Sequence, residues 1–206
     1  MRKSAQPRTI VDPAEGATEQ DPFTEVIERA AEGDPEAWGR IYERFSGPLF
    51  GFFLHQARDR EVAEDLTAGV FLEALQSRTR FYGDAAALRS WLFRIARNNL
   101  IDHWRRSQRT RSESFHDIEE GELSRVVATE DPEDTAIVSL DRQRLRAGIE
   151  TLSADQQEVV LLRLAGDLTS AEIAAIVGKS VGAVKALQHR AIAALARVLG
   201  DKVSRI

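Results

Sequence analysis

The chain has no cysteine among its 206 residues, so neither a disulfide framework nor a thiolate metal site can be built from it. Histidine is scarce as well. His55, His103, His116 and His189 are scattered without ligand spacing, which argues against a zinc site. No apolar run approaches the roughly 20 residues needed to span a bilayer, and the first twenty residues lack the hydrophobic centre of a signal peptide. These gaps point to a soluble, cytoplasmic protein. β-Branched runs and Asn-Gly hairpin turns are nearly missing, and most apolar spacing is helical. There is no glycine-rich phosphate loop and no GxSxG elbow, so nucleotide hydrolysis and serine chemistry have no support. An all-α protein without a cofactor is expected.

What is present begins after a polar tail, residues 1–21, expected to be disordered. Phe23, Val26, Ile27 and Ala30 predict a short helix ending at Gly33; Asp34-Pro35 restarts it with a cap and a first-turn proline. Trp38, Ile41, Tyr42, Phe45, Leu49, Phe52 and Phe53 follow at helical spacing, a stripe read as core packing rather than a cofactor pocket. Gly47-Pro48 is expected to kink or interrupt that helix. Asp59 caps the next one, whose inner face is predicted as Val62, Ala63, Leu66, Val70 and Leu75. Its other face is acidic: Glu61, Glu64, Asp65 and Glu73. Nothing in the pattern would bury these carboxylates and tune them for acid–base work.

Residues 80–87 read as a loop with two exposed aromatics, Phe81 and Tyr82. A helix to about Arg106 comes next. Seven arginines and one acid lie between Arg89 and Arg111, interleaved with Trp91, Phe93 and Trp104. Arginine pairs with phosphate in a planar, bidentate way, and aromatics offer stacking platforms to unpaired bases. From Ser112 to Asp134 nine acids and one arginine mark a linker. A second helical region begins near Ala136, with a capping box at Ser153 and Gln156.

The last segment is the most informative. Thr169 and Glu172 form another capping box, Ile173, Ala174, Ile176 and Val177 give a short apolar face, and Gly178 falls where the chain must reverse. Ser180 caps a further helix with Val184, Leu187, Ala191 and Leu195 on its inner side. This is the pattern of a helix-turn-helix whose second helix enters the major groove. A purely structural hairpin would share the spacing. Charge argues against it: six Lys/Arg and one acid follow from Lys179 onward, in a chain of net charge −5.

Taken together, AEDLTAGVFLEAL at 63–75, SWLFRIARNNLIDHWRR at 90–106 and LSADQQEVVLLRLAGDLTSAEIAAIVGKSVGAVKALQHRAIAAL at 152–195 resemble bacterial sigma factors of the extracytoplasmic-function group, in the sigma-70 family. The resemblance implies two helical domains, residues 22–108 and 136–206, joined by a flexible acidic linker at 109–135 that threads polymerase channels. It implies a non-enzymatic factor that binds the β and β′ subunits of core RNA polymerase, directs promoter-specific initiation, and in some relatives answers to an anti-sigma factor. Neither the long N-terminal domain of housekeeping sigma factors nor an extra C-terminal domain is expected.

Residue by residue, Glu64, Asp65 and Leu66 match the polymerase-docking motif. Phe81 and Tyr82 match the loop that captures a flipped minus-ten base, and Arg94, Arg97, Asn98, Asp102, Arg105 and Arg106 match the strand-opening helix, with Trp91 packing beneath. Ser180, Gly182, Ala183, Lys185, His189 and Arg190 match the face that reads the minus-thirty-five element. Two departures stand out: Ala68-Gly69 where the family has a Gln-acid pair, and Leu187-Gln188 where it often has Arg-Leu. Two other readings compete. A stand-alone duplex-binding regulator leaves the arginine-rich helix and acidic linker without a role; an all-α metal-dependent enzyme lacks a ligand cluster.

Overall fold

The computed structural model describes residues 23–78, 81, 83–113 and 144–203, and every regular element among them is a helix. The expected N-terminal tail, Tyr82 and most of the acidic linker lie outside the described residues. Helix α1 spans Phe23–Ala31, α2 Pro35–Ala57, α3 Arg60–Gln76 and α4 Ala85–Glu113. Residues 144–150 form α5, followed by α6 at Ala154–Gly166, α7 at Ser170–Val177 and α8 at Val181–Val203.

Local chemistry fixes most of the boundaries. The Asp34 carboxylate accepts from the backbone N–H groups of Glu36 and Ala37, and Pro35 occupies the first turn, where its missing donor is no loss. Asp59 accepts from Val62 N–H to open α3. Both capping boxes form, Ser153 with Gln156 and Thr169 with Glu172. Gly178 closes α7 in the left-handed region at φ +69°.

Helix α2 differs from expectation: it runs through Pro48 without a break. Proline inside a helix costs about 3 kcal/mol. Ile41, Phe45, Leu49, Phe52 and Phe53 are all buried on the same helix, each worth roughly 1.5–3 kcal/mol, so packing outweighs the lost hydrogen bond. Helix α4 also runs past Arg106 to Glu113, taking the first residues of the expected linker into the helix.

Helices α1–α4 pack into an N-terminal bundle, with α2 against α1, α3 and α4; α6, α7 and α8 pack together as the C-terminal one. The bundles also meet, because α2 and α4 both lie against α6 and α4 touches α7. One continuous apolar cluster therefore extends from Phe23 to Leu195.

A candidate nucleic-acid interface on two helices

Helix α8 stands in the turn geometry that the sequence encodes. Its inner stripe of Val184, Leu187, Ala191 and Leu195 is buried against α6 and α7. Ser180, Gly182, Ala183, Lys185, His189 and Arg190 are all exposed. Ser180 Oγ accepts from Ala183 N–H at 3.2 Å. The remaining N–H groups of the first turn and the positive end of the helix dipole face the same way, which suits an anion. Leu187 is buried and Gln188 half-buried, the latter accepting from Ser170 Oγ at 2.9 Å. The Leu187-Gln188 exchange thus falls on the α7-facing side. Lys179 is drawn away from the basic face into an ion pair with Asp155 at 2.9 Å, a contact across 24 residues that local spacing does not reveal.

Helix α4 is divided more sharply. Leu88, Leu92, Phe93, Ile95, Ala96 and Leu100 are buried, and Phe93 meets Phe52 edge-to-face at 5.8 Å. Arg94, Asn98, Asp102 and Arg105 are exposed and recur at three- and four-residue spacing, so they share one face; Arg106 is exposed beside them. Asp102 pairs with Arg105 at 3.4 Å, and Arg106 donates to the Asp102 carbonyl at 3.2 Å. Arg97 departs from this group. Its Nε donates to Glu158 on α6 at 2.7 Å, with the two side chains 23% and 19% exposed.

Phe81 corrects the sequence reading. It is only 9% exposed and stacks on Trp91 with ring centroids 5.1 Å apart. It therefore belongs to the support of the loop rather than to its outer surface. Asp84 then opens α4, its carboxylate accepting from Ala87 N–H at 2.8 Å.

On α3, Glu64 and Asp65 are exposed, and Glu64 is paired with Arg60 at 2.8 Å. Leu66 is 8% exposed and sits in the core, so its share in any docking surface is to hold the two acids in place. The inner face runs through Ala63, Leu66, Thr67, Val70 and Ala74. Leu75, expected inside, is one residue past this stripe and 40% exposed. Leu72 is more exposed still, at 60%. It follows Asp65 by seven residues, hence two turns along the same face. Acidic and apolar groups together make this surface, and the heptad spacing was the signal that could have found Leu72. A Cβ on Gly69 would meet only Asn99 Nδ2 at 3.9 Å, so packing does not demand the glycine.

The acid Glu172 ties the two bundles together. Ser90 Oγ on α4 donates to its Oε1 at 2.6 Å, while Thr169 N–H donates to its Oε2 at 2.7 Å. Burial by itself would raise the Glu172 pKa. The hydrogen bonds from Ser90 and Thr169 and the positive charge of Arg89 outweigh burial and hold it below the ordinary glutamate value.

Comparison with known proteins gives these surfaces a context. The sigma-70 region 2 family matches residues 41–110, and the sigma-70 region 4 family matches residues 142–195. The chain is 37% identical over 178 residues to the ECF RNA polymerase sigma factor BldN of Streptomyces coelicolor, covering 86% of this chain and 66% of that protein. It is 27% identical over 151 residues to the RNA polymerase sigma factor YlaC of Bacillus subtilis, covering 73% of this chain and 85% of the relative. Among solved structures it resembles the sigma factor RpoE in complex with the anti-sigma factor NepR from Bartonella quintana. The TM-score there is 0.64 at 25% identity, over 80% of this chain and 98% of the other.

Proposed function

The chain belongs to the extracytoplasmic-function group of the sigma-70 family, and from that membership we propose that it binds core RNA polymerase and confers promoter-specific initiation. The observation that carries the proposal is the exposure of all six residues on the outer face of α8, together with a second cationic face on α4. Each face belongs to a segment matched by a different sigma region. We assign residues 22–108 to polymerase docking and the minus-ten element, 109–135 to a tether, and 136–206 to the minus-thirty-five element.

In this reading α8 enters the major groove by its N-terminal turns. Lys185 and Arg190 neutralise phosphates, and the residues from Ser180 to Ala183 approach base edges. Arg94, Asn98 and Arg105 take the opened strand. Extruding a base costs a few kcal/mol. A surface that binds the unpaired strand offsets that cost without fuel, so the protein needs no covalent chemistry of its own. Phe81 and Trp91 brace the capturing loop, with Tyr82 the residue left to contact the base. Glu64 and Asp65, flanked by Leu72, dock on the β′ side of the polymerase. An anti-sigma factor is a fitting partner, since the RpoE relative is held by one. No helix among the described residues is long and apolar enough to cross a membrane, in keeping with a cytoplasmic site of action.

Run-off transcription with core polymerase on genomic promoter fragments tests this directly. Discrete start sites that require the added chain are expected; unselective or absent initiation refutes the reading. Asp65→Lys should weaken assembly with core, and undiminished assembly would remove Asp65 from the interface.

A further inference from the structure

We infer that the outer face of α8 selects its duplex through thymine methyl groups rather than through hydrogen bonds to base edges, with Val181 as the residue that sets the preference. The inference deepens the assignment of α8 to the minus-thirty-five element and rests on it.

The first turns of α8 carry little that can hydrogen-bond a base. Val181, Gly182, Ala183 and Ala186 are exposed, and none has a polar side chain. The first turn holds no acid, so no carboxylate is there to accept from a cytosine amino group. Ser180 Oγ already accepts from Ala183 N–H at 3.2 Å, and Gln188 is turned to α7, where it accepts from Ser170 at 2.9 Å. The cations stand to the sides. Lys185 and Arg190 are five positions apart, so at about 100° per residue they lie about 140° apart on the helix. Each therefore flanks the line through Gly182, Ala186 and His189. Arg190 Nε donates to the Ala186 carbonyl at 3.2 Å, which lays the guanidinium back along its own flank. A helix seated in the major groove meets phosphates at its flanks and base edges along its outer line.

Two features of α8 have no explanation inside the protein. Val181 is 41% exposed, an apolar β-branched side chain left to solvent in the first turn. A Cβ on Gly182 would meet nothing within 4 Å, and its backbone is not left-handed. Neither packing nor conformation asks for a glycine there, although glycine weakens a helix relative to alanine. Both features suit a base edge brought close. The missing Cβ lets the groove floor approach the helix backbone. The isopropyl group of Val181 then meets the C5 methyl that thymine, alone among the four bases, places in the major groove. A G·C pair at the same place would give up water from its polar edge with no side chain to replace it, a penalty that sharpens the preference.

The test uses holoenzyme, assembled from core polymerase and the full chain, on a fragment that supports run-off initiation. Each thymine of its minus-thirty-five segment is replaced singly by deoxyuridine, which pairs as thymine does but lacks the methyl. A loss of about fourfold in affinity is expected at each thymine that faces α8, the worth of one buried carbon. Val181→Ala should abolish that difference at one position at least, with the salt dependence intact because no charge changes. Gly182→Val should weaken binding to thymine and deoxyuridine fragments alike by about tenfold, and thermal unfolding at or above the parent temperature separates this from misfolding. Undiminished binding by a folded Gly182→Val would overturn the close approach. Equal affinity for thymine and deoxyuridine at every position overturns the inference and leaves the promoter reading standing, as does a thymine preference that Val181→Ala fails to alter. If no fragment gives specific initiation, the assignment of α8 fails and the methyl readout falls with it.

Discussion

Helices α4 and α8 are both long and cationic, yet they meet solvent in different ways. The outer face of α8 is open along its first three turns. That of α4 is open on the side of Arg94 and Asn98 and covered on the side of Arg97, whose partner lies 61 residues away. A run of arginines in a sequence fixes where positive charge sits on a helix, but availability depends on what packs against that helix. In this chain the outer face of α8, proposed to read the duplex, is fully presented, whereas α4, proposed to hold the opened strand, is partly engaged by its own C-terminal bundle along the seam between the two.

The strongest way to break this contrast is to damage the residue on which the seam and the N-terminal core both rely. Phe93 is fully buried, packs on Phe52 and borders Gly166. Phe93→Ala should cost about 3–5 kcal/mol in denaturant unfolding. If the bundles are coupled through this ring, probes in α2 and α8 will shift together. An unchanged α8 transition would mean that the C-terminal bundle stands independently.

Gly178→Ala isolates the readout side. No atom lies within 4 Å of the position a Cβ would take, but the backbone is at φ +69°. The penalty is therefore conformational, of order 1–2 kcal/mol. It should reorient α8 and weaken minus-thirty-five binding while leaving single-strand binding by α4 alone. Equal loss of both would show that the two helices do not act separately.

A smaller effect separates charge that is presented from charge that is engaged. Lys185→Ala and Arg190→Ala should each flatten the salt dependence of duplex binding by about 0.9 in log–log slope. Arg97→Ala in the free chain should leave that slope alone, because its guanidinium is already neutralised by Glu158. A flattened slope for Arg97→Ala in the free chain would abolish the distinction between the helices.

These differences show which parts of the molecule could be read from the sequence. Features set within four residues were legible: the caps at Asp34, Asp59, Ser153 and Thr169, the reversal at Gly178, and the phase of α8. Features set by a partner far along the chain were not. Phe81 looked exposed because its local sequence is a loop, yet Trp91 comes back ten residues later to cover it. Leu66, placed on the inner face, is buried as expected, while Leu75, placed on the same face, is exposed. On a helix one residue is a step of about 100°, enough to carry Leu75 off the stripe that ends at Ala74. Pro48 is the opposite case, a strong local signal overridden by the buried aromatics around it. The seam was the least legible feature, since Ser90 and Glu172 are 82 residues apart and each has an adequate local explanation.

The finest test uses Glu172, which serves both sides at once by capping α7 through Thr169 and meeting α4 through Ser90. Its pKa is held low because the hydrogen bonds and the charge of Arg89 outweigh the effect of burial. An unfolded glutamate takes up its proton near 4.3, above the pH at which the folded one does. Between these two values the unfolded state binds more protons, so stability rises with pH there. The contribution of Glu172 is complete above the ordinary glutamate range and is lost as pH falls through its lowered value. Ser90→Ala removes one of the hydrogen bonds that favour the carboxylate, so the titration midpoint of Glu172 should move upward while the Thr169 cap remains. Carboxyl carbon shifts followed by NMR across that range would detect the change. An unmoved midpoint would mean that Ser90 does not hold Glu172 in solution, leaving Arg97–Glu158 and Arg89–Asp167 as the polar contacts between α4 and the C-terminal bundle.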